Sequence, residues 1–142
     1  MILADTSVLI GYLRGDKSKA ADLFDRLLRA EIPWGICPPV YQEVLQGARD
    51  TAELNKLKTY FDTLPCYELK HGLESHARAA RLNLRCRKAG VTVRGTIDLL
   101  IAQTAIENDL FLFHHDTDFN RMAEVIPELQ ILRDCWGQLA SG

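Results

Sequence analysis

Four acidic residues stand where a parallel α/β protein collects its chemistry. Asp5 follows the apolar run Ile2-Leu3-Ala4, and Asp116 follows Leu110-Phe111-Leu112-Phe113 and a pair of histidines. Glu43 and Asp98 lie early in two helical patterns that begin where strands are expected to end. In an open α/β sheet both kinds of position crowd the carboxyl edge of the strands, where such sheets bind their ligands. Carboxylates gathered within ~5 Å repel one another by about 3 kcal/mol per pair at an effective dielectric near 20. A cluster of this kind persists if some members protonate or if a divalent cation holds them. All-oxygen ligation without organised Cys or His favours a hard ion, Mg²⁺ or Mn²⁺, over zinc. An ion so held keeps waters, can orient one as a nucleophile and stabilises charge developing on a phosphoryl oxygen, which points to metal-dependent phosphodiester hydrolysis.

Each acid also has a plainer role. Asp5 and Asp116 suit helix caps, Asp98 in a first turn complements the helix dipole, and Glu43 suits a solvated helix face. Only the adjacency of the strands that deliver them separates a site from four coincidences.

The elements that must do the positioning are readable in outline. Strands are expected over 2–4, 32–37, 110–113 and 129–132, with a weaker candidate over 64–69; short apolar runs of this length suit a sheet buried on both faces. Pro33 places the second strand at a start or an edge. Asp5-Thr6-Ser7 supplies cap-type residues before Val8-Leu9-Ile10. A helix from Ser18 to about Ala30 puts Leu23, Phe24, Leu27 and Leu28 on one face. Pro38-Pro39 opens the next helix, with Val40, Val44, Leu45 and Ala48 inward. Thr51 to about Phe61 groups Leu54, Leu57 and Phe61. A long helix, 71–89, has Leu73, Ala77, Ala80 and Leu84 inward and stops at Gly90. Thr96 opens a helix to about Asn108 with Leu100, Ile101, Thr104 and Ala105 as its stripe, and a short helix covers 119–124. Apolar runs alternating with amphipathic helices specify an α/β protein with a parallel sheet.

Composition sets the outer bounds. The chain has 142 residues, enough for one domain, 1–142, with one core. An apolar content of 47% and a charged content of 25% are ordinary for a globular chain. The net charge of −2 excludes a molecule that holds nucleic acid by overall charge, so any basic surface must be local. Cys37, Cys66, Cys86 and Cys135 form no C-x-x-C pair and so give neither a zinc framework nor a disulfide scaffold. No run approaches the ~20 apolar residues of a membrane span, and an Asp at position 5 does not suit a signal peptide. The expected location is the cytoplasm.

Four blocks together resemble the PIN-domain family, with VapC-type toxins the nearest match: Asp5-Thr6-Ser7-Val8-Leu9-Ile10, the helical Glu43, Thr96-Ile97-Asp98-Leu99-Leu100-Ile101-Ala102, and Leu112 through Phe119. They occur in family order and at family-like intervals over nearly the whole chain. The resemblance implies a three-layer α/β/α sandwich around a mainly parallel sheet, and a Mg²⁺- or Mn²⁺-dependent endoribonuclease. By that match Asp5, Glu43, Asp98 and Asp116 take the metal-binding and catalytic positions. Thr6 and Ser7 fall where the family places a supporting hydroxyl, and Asp118 matches a second, more variable acid, held as auxiliary. His114 departs from the family pattern, which often has Thr or Ser two positions before the acid. The resemblance further implies a homodimer, a VapB-like antitoxin whose tail covers the acidic cleft, and RNA as substrate.

Other features are weighed beside these. His114 and His115 are neighbours on an extended segment, so at most one faces the acids. Arg78, Arg81 and Arg85 could bind RNA phosphates, or could be a solvated basic face paired with neighbouring acids. Trp34 and Trp136 suit a core or an interface better than a base-stacking platform. Asp116-Thr117-Asp118 is a poor match to the aspartyl-nucleophile motif of haloacid-dehalogenase-like phosphatases, which belongs on a first strand. The alternatives to a toxin are a PIN-domain nuclease in RNA processing outside any toxin–antitoxin pair, and a catalytically silent binding module with an acidic pocket.

Overall fold

The computed structural model of the chain describes residues 1–132; Trp136 and Cys135 lie outside them. The elements run β1 (Ile2–Ala4), α1 (Thr6–Leu13), α2 (Lys19–Arg29), β2 (Trp34–Gly35), α3 (Pro38–Gln46), α4 (Thr51–Phe61), α5 (Leu73–Lys88), α6 (Thr96–Glu107), β3 (Phe111–Phe113), α7 (Thr117–Val125) and β4 (Gln130–Ile131). The four strands form one parallel sheet in the order β2-β1-β3-β4, within a three-layer α/β/α arrangement.

The register decides where the chemistry falls. Ile2, Leu3 and Ala4 pair with Phe111, Leu112 and Phe113, and the Asp5 N–H extends the ladder to the Phe113 carbonyl at 2.8 Å. The first and third strands are thus the central pair, and Asp5 and His114 leave the sheet side by side. β2 is an edge strand, as Pro33 requires, and it is shorter than the run 32–37. The expected strand over 64–69 does not form. That segment makes one parallel bridge, Ile36 to Cys66, flanked by the bonds Ile36 N–H to Pro65 O and Tyr67 N–H to Ile36 O. Its close passage explains Gly35: a Cβ there would lie 2.5 Å from the Pro65 carbonyl oxygen and 2.6 Å from the Tyr67 ring.

Helix starts follow their caps. Ser18 accepts from the Ala21 N–H at 3.1 Å and Asp50 from the Glu53 N–H at 2.8 Å, each satisfying a donor that the helix leaves open. Gly90 ends the long helix at φ +79°, a left-handed conformation that suits glycine.

The inward face of α5 differs from the stripe expected for it. Leu73 is 88% exposed and Leu84 43%, while Ser75, Ala79, Leu82 and Cys86 are buried. With alanines at 77, 79 and 80, two stripes fit the sequence equally well, and packing against α6 chooses. The Ser75 hydroxyl donates to Glu107 on α6 at 2.9 Å, so a polar residue takes an inward position because it has a partner there. On α4 only Phe61 is buried, and α3 ends before Ala48. α6 is covered on more than one side, with Leu99, Ile101, Ala102, Gln103, Thr104 and Ala105 all buried; it packs on α3, α5 and β3.

Candidate functional site

The carboxyl ends of β1 and β3 bring two short polar segments together with the first turn of α6. Asp5 caps α1 through its Oδ2, which accepts from the Ser7 N–H at 3.2 Å and from the Ser7 hydroxyl at 2.6 Å. That hydroxyl also accepts from the His115 N–H at 3.0 Å. Ser7 thereby ties the segment after the first strand to the segment after the third. Thr6, buried beside it, donates from Oγ1 to Glu43 Oε1 at 3.1 Å and draws the α3 carboxylate toward the same edge.

Asp116 caps α7 by accepting from the Asp118 N–H at 3.0 Å, and its own N–H donates to His114 Nδ1 at 3.0 Å. His114 packs against the Phe119 ring, burial holds its pKa below the ordinary histidine value, and its Nε2 is buried. Of the two histidines His115 is the exposed one, and it takes part through its backbone. Asp5 and Asp116 are therefore helix caps that also stand at the candidate site.

Asp98, Asp116 and Asp118 form the tightest group, with one oxygen from each lying within 4.8 Å of the others. Asp118 is 6% exposed, so it sits deeper than an auxiliary acid at a rim. Asp98 is pushed up to about 6 by burial first, and then by the negative charges of Asp5, Asp116, Asp118 and Glu43. Four other carboxylates thus act on Asp98. Asp5 and Glu43 are not in the tight trio; they flank it, held by Ser7 and Thr6. Arg78, Arg81 and Arg85 are elsewhere. They line a cavity of about 440 Å³ with His71, Gln103, Glu107 and Glu128, and Glu107 lies nine residues along α6 from Asp98, about 13 Å at the helical rise. Arg81 pairs with Glu74 at 2.8 Å and Arg85 with Glu128 at 2.7 Å.

The donor set suits a hard cation. All three close ligands are carboxylate oxygens, and the Nδ1 of His114 is occupied by a backbone N–H. Cys37, the residue before α3, is buried, and burial pushes its thiol up to about 12, so no thiolate stands ready for a softer metal. A pH dependence follows. The Asp98 carboxyl has its ordinary value near 3.8 when unfolded and about 6 when folded, so between these the folded protein binds the extra proton. The contribution to stability is present below about pH 4 and is lost as pH rises through about 6. Cation-free protein should lose thermal stability across this window in a way that Asp98→Asn does not. The rise in melting temperature caused by Mg²⁺ should be small near pH 5 and level off above about pH 7, because the proton and the ion compete for the same oxygens. An increment flat from about pH 5 to 8 would remove Asp98 from the cation site.

Fold and site together define a class: a parallel α/β protein with an oxygen-only acidic site at the carboxyl ends of its two central strands. The PIN-domain family model matches residues 2–125. The chain is 36% identical over 126 residues to ribonuclease VapC11 of Mycobacterium tuberculosis, covering 88% of this chain and 93% of that one. The same figures hold for the VapC ribonuclease Mb1587 of Mycobacterium bovis. Among solved structures it is similar in fold to VapBC2 of Rickettsia felis bound to a fragment of promoter DNA (TM-score 0.69, 18% identity, 93% of this chain and 98% of that one). It is also similar to FitAcB of Neisseria gonorrhoeae (TM-score 0.66, 17% identity, 94% and 97%). The chain belongs to the PIN-domain family, and its curated relatives are VapC ribonucleases.

Proposed function

We propose that this protein is a divalent-metal-dependent endoribonuclease, the toxin of a VapBC-like toxin–antitoxin pair, acting in the cytoplasm. The observation that carries the reading is the convergence of Asp98, Asp116 and Asp118, flanked by Asp5 and Glu43, at one sheet edge in a chain 36% identical to VapC ribonucleases.

In this reading Asp98, Asp116 and Asp118 hold Mg²⁺ or Mn²⁺, with Asp5 and Glu43 completing the acidic wall. A bound ion supplies an activated water and neutralises charge on the phosphoryl oxygens. The protein's own part is positioning. Ser7 occupies Asp5 Oδ2, which leaves Oδ1 to orient the attacking water. Thr6 holds Glu43 at the other side. The Ser7 and His114 acceptors fix two successive N–H groups of the Asp116 segment, so its carboxylate is presented in one orientation. Water gives up a proton as its oxygen adds to phosphorus, one bridging P–O bond breaks, and the leaving oxygen takes up a proton in exchange.

The antitoxin reading draws on the VapBC relative and on an apolar surface. A cavity of about 360 Å³ between α1, α2 and α4 is lined by Tyr12, Leu13, Phe24, Trp34, Leu57 and Tyr60. Leu13 is 53% and Tyr60 50% exposed there, so the cleft presents apolar side chains to solvent. An apolar segment of an antitoxin fits this cleft, and a basic tail fits the acidic one. A homodimer is proposed on the family resemblance. No helix among the described residues is long and apolar enough to cross a membrane.

The test is cleavage of single-stranded RNA by the purified chain with Mg²⁺ or Mn²⁺, with a chelator, and after ion is restored. Cleavage should vanish with chelation and return with the ion. Activity that survives complete chelation would overturn the metal-dependent reading, and absence of cleavage under every cation would overturn the enzyme.

A further inference from the structure

Five carboxylates and one divalent ion leave the site strongly negative, and a phosphodiester is itself an anion. Like charges in a cleft repel the substrate that must enter it, so the rim needs a cation. The ion pairs of the described residues contain one that reaches a site acid: Arg94 Nε lies 3.9 Å from Asp118 Oδ2. Arg94 stands between α5 and α6, two residues before Thr96, and its side chain is 83% exposed.

The pair is too loose to be a brace. At 3.9 Å it exceeds hydrogen-bond distance, and a contact with so exposed a partner adds little to stability. The guanidinium makes no hydrogen bond within the described residues, so its fork of donors faces solvent at the mouth of the acidic site. The arginines of α5 contrast with it: Arg85 makes two hydrogen bonds to Glu128 and Arg81 one to Glu74. Arginine matches a phosphate with two parallel N–H bonds, which a lysine cannot do.

We propose that Arg94 is a substrate-binding residue that leaves Asp118 to take a phosphate of single-stranded RNA at the rim of the acidic site. This rests on the nuclease reading for its substrate, but its test does not depend on cleavage. Binding of a short fluorescein-labelled single-stranded RNA is followed by anisotropy in Ca²⁺, over a range of KCl, for the full chain and for Arg94→Ala and Arg94→Lys. A gel confirms that the RNA is intact. Arg94→Ala should weaken binding about tenfold at low salt and reduce the slope of log affinity against log salt by ~0.7, the share of one phosphate contact on a single strand. Arg94→Lys should restore the slope and only part of the affinity. Calorimetric Ca²⁺ binding without RNA should be the same in all three proteins.

Unchanged RNA affinity and slope in Arg94→Ala overturn the proposal, as does a wild-type chain that binds no RNA. A parallel loss of Ca²⁺ affinity that accounts for the loss of RNA also overturns it, since Arg94 would then act through Asp118. An Arg94-dependent slope in a protein that fails to cleave RNA under every cation tried supports the contact and retires the nuclease. Cleavage with an unmoved KM in Arg94→Ala does the reverse.

Discussion

Asp98→Asn and Asp5→Asn proteins should lose Mg²⁺- or Mn²⁺-dependent RNA cleavage by more than about a hundredfold while keeping the fold. Changing a residue that only orients a metal ligand typically costs 10–100-fold; Asp98→Asn exchanges a proposed ligand itself, and Asp5→Asn removes the carboxylate proposed to orient the attacking water. The substitutions keep side-chain volume and remove one charge. In wild-type protein without a cation, Asp98 is forced toward its neutral form by burial and by four neighbouring acids. Removing its charge should raise the cation-free melting temperature at pH 7 by a few degrees, roughly 2–5 °C for a domain of this size. The same variant should gain little from Mg²⁺. A structural residue would show the opposite pattern, with lower stability and proportionate activity. Asp5 divides differently, because its Oδ2 accepts two bonds from Ser7; Asp5→Asn should show no gain in cation-free stability. Cleavage within threefold of wild type in either variant would sink the site assignment.

Phe24→Ala should be the most destabilising single truncation of the aromatic core. The Phe24 ring is 3% exposed and meets Tyr12, Trp34 and Phe113 edge-on, with centroids 4.7, 5.0 and 6.0 Å away. These partners come from α1, β2 and β3, so one ring joins three elements to α2. Phe→Ala in a packed core costs about 3–5 kcal/mol, a large share of the roughly 5–15 kcal/mol that holds a domain folded. Urea unfolding should show the midpoint falling by about 2 M with the slope retained. Leu73→Ala, at a site 88% exposed, should stay within about 0.5 kcal/mol of wild type. Equal effects of the two substitutions would contradict this core. Because Phe113 leads directly into His114, partial repacking in Phe24→Leu should also lower activity more than its modest loss of stability.

Part of this was legible because local chemistry is self-contained. Asp5 and Ser18 announce helix starts by residue type, Pro33 marks an edge, and Gly90 marks a stop; each signal is satisfied within a few residues of itself. The apolar runs at 2–4 and 110–113 are strands because little else buries three or four consecutive apolar residues. What misled was the face of α5 and the segment 64–69. On α5 the small residues leave the stripe open, and Ser75 becomes inward because Glu107 sits opposite. At 64–69 a strand-like composition meets a single bridge, because among the described residues only Ile36 exchanges backbone hydrogen bonds with it.

The amino-acid order alone determined which carboxylates exist, that Asp5, Asp98 and Asp116 stand at strand ends or helix starts, and that the sheet is parallel; Glu43, expected early in its helix, is the sixth residue of the nine in α3. Tertiary structure decided the rest. It made β1 and β3 neighbours, put Asp118 inside the acidic group with Asp98 and Asp116, and moved Arg78, Arg81 and Arg85 to a separate cavity while leaving Arg94 at the rim. The physical reason is range. Capping and hydrophobic periodicity act within one or two turns of chain, whereas the burial, and then the repulsion, that raise the Asp98 carboxyl depend on residues distant in sequence, which only the pairing of strands and the packing of helices bring together.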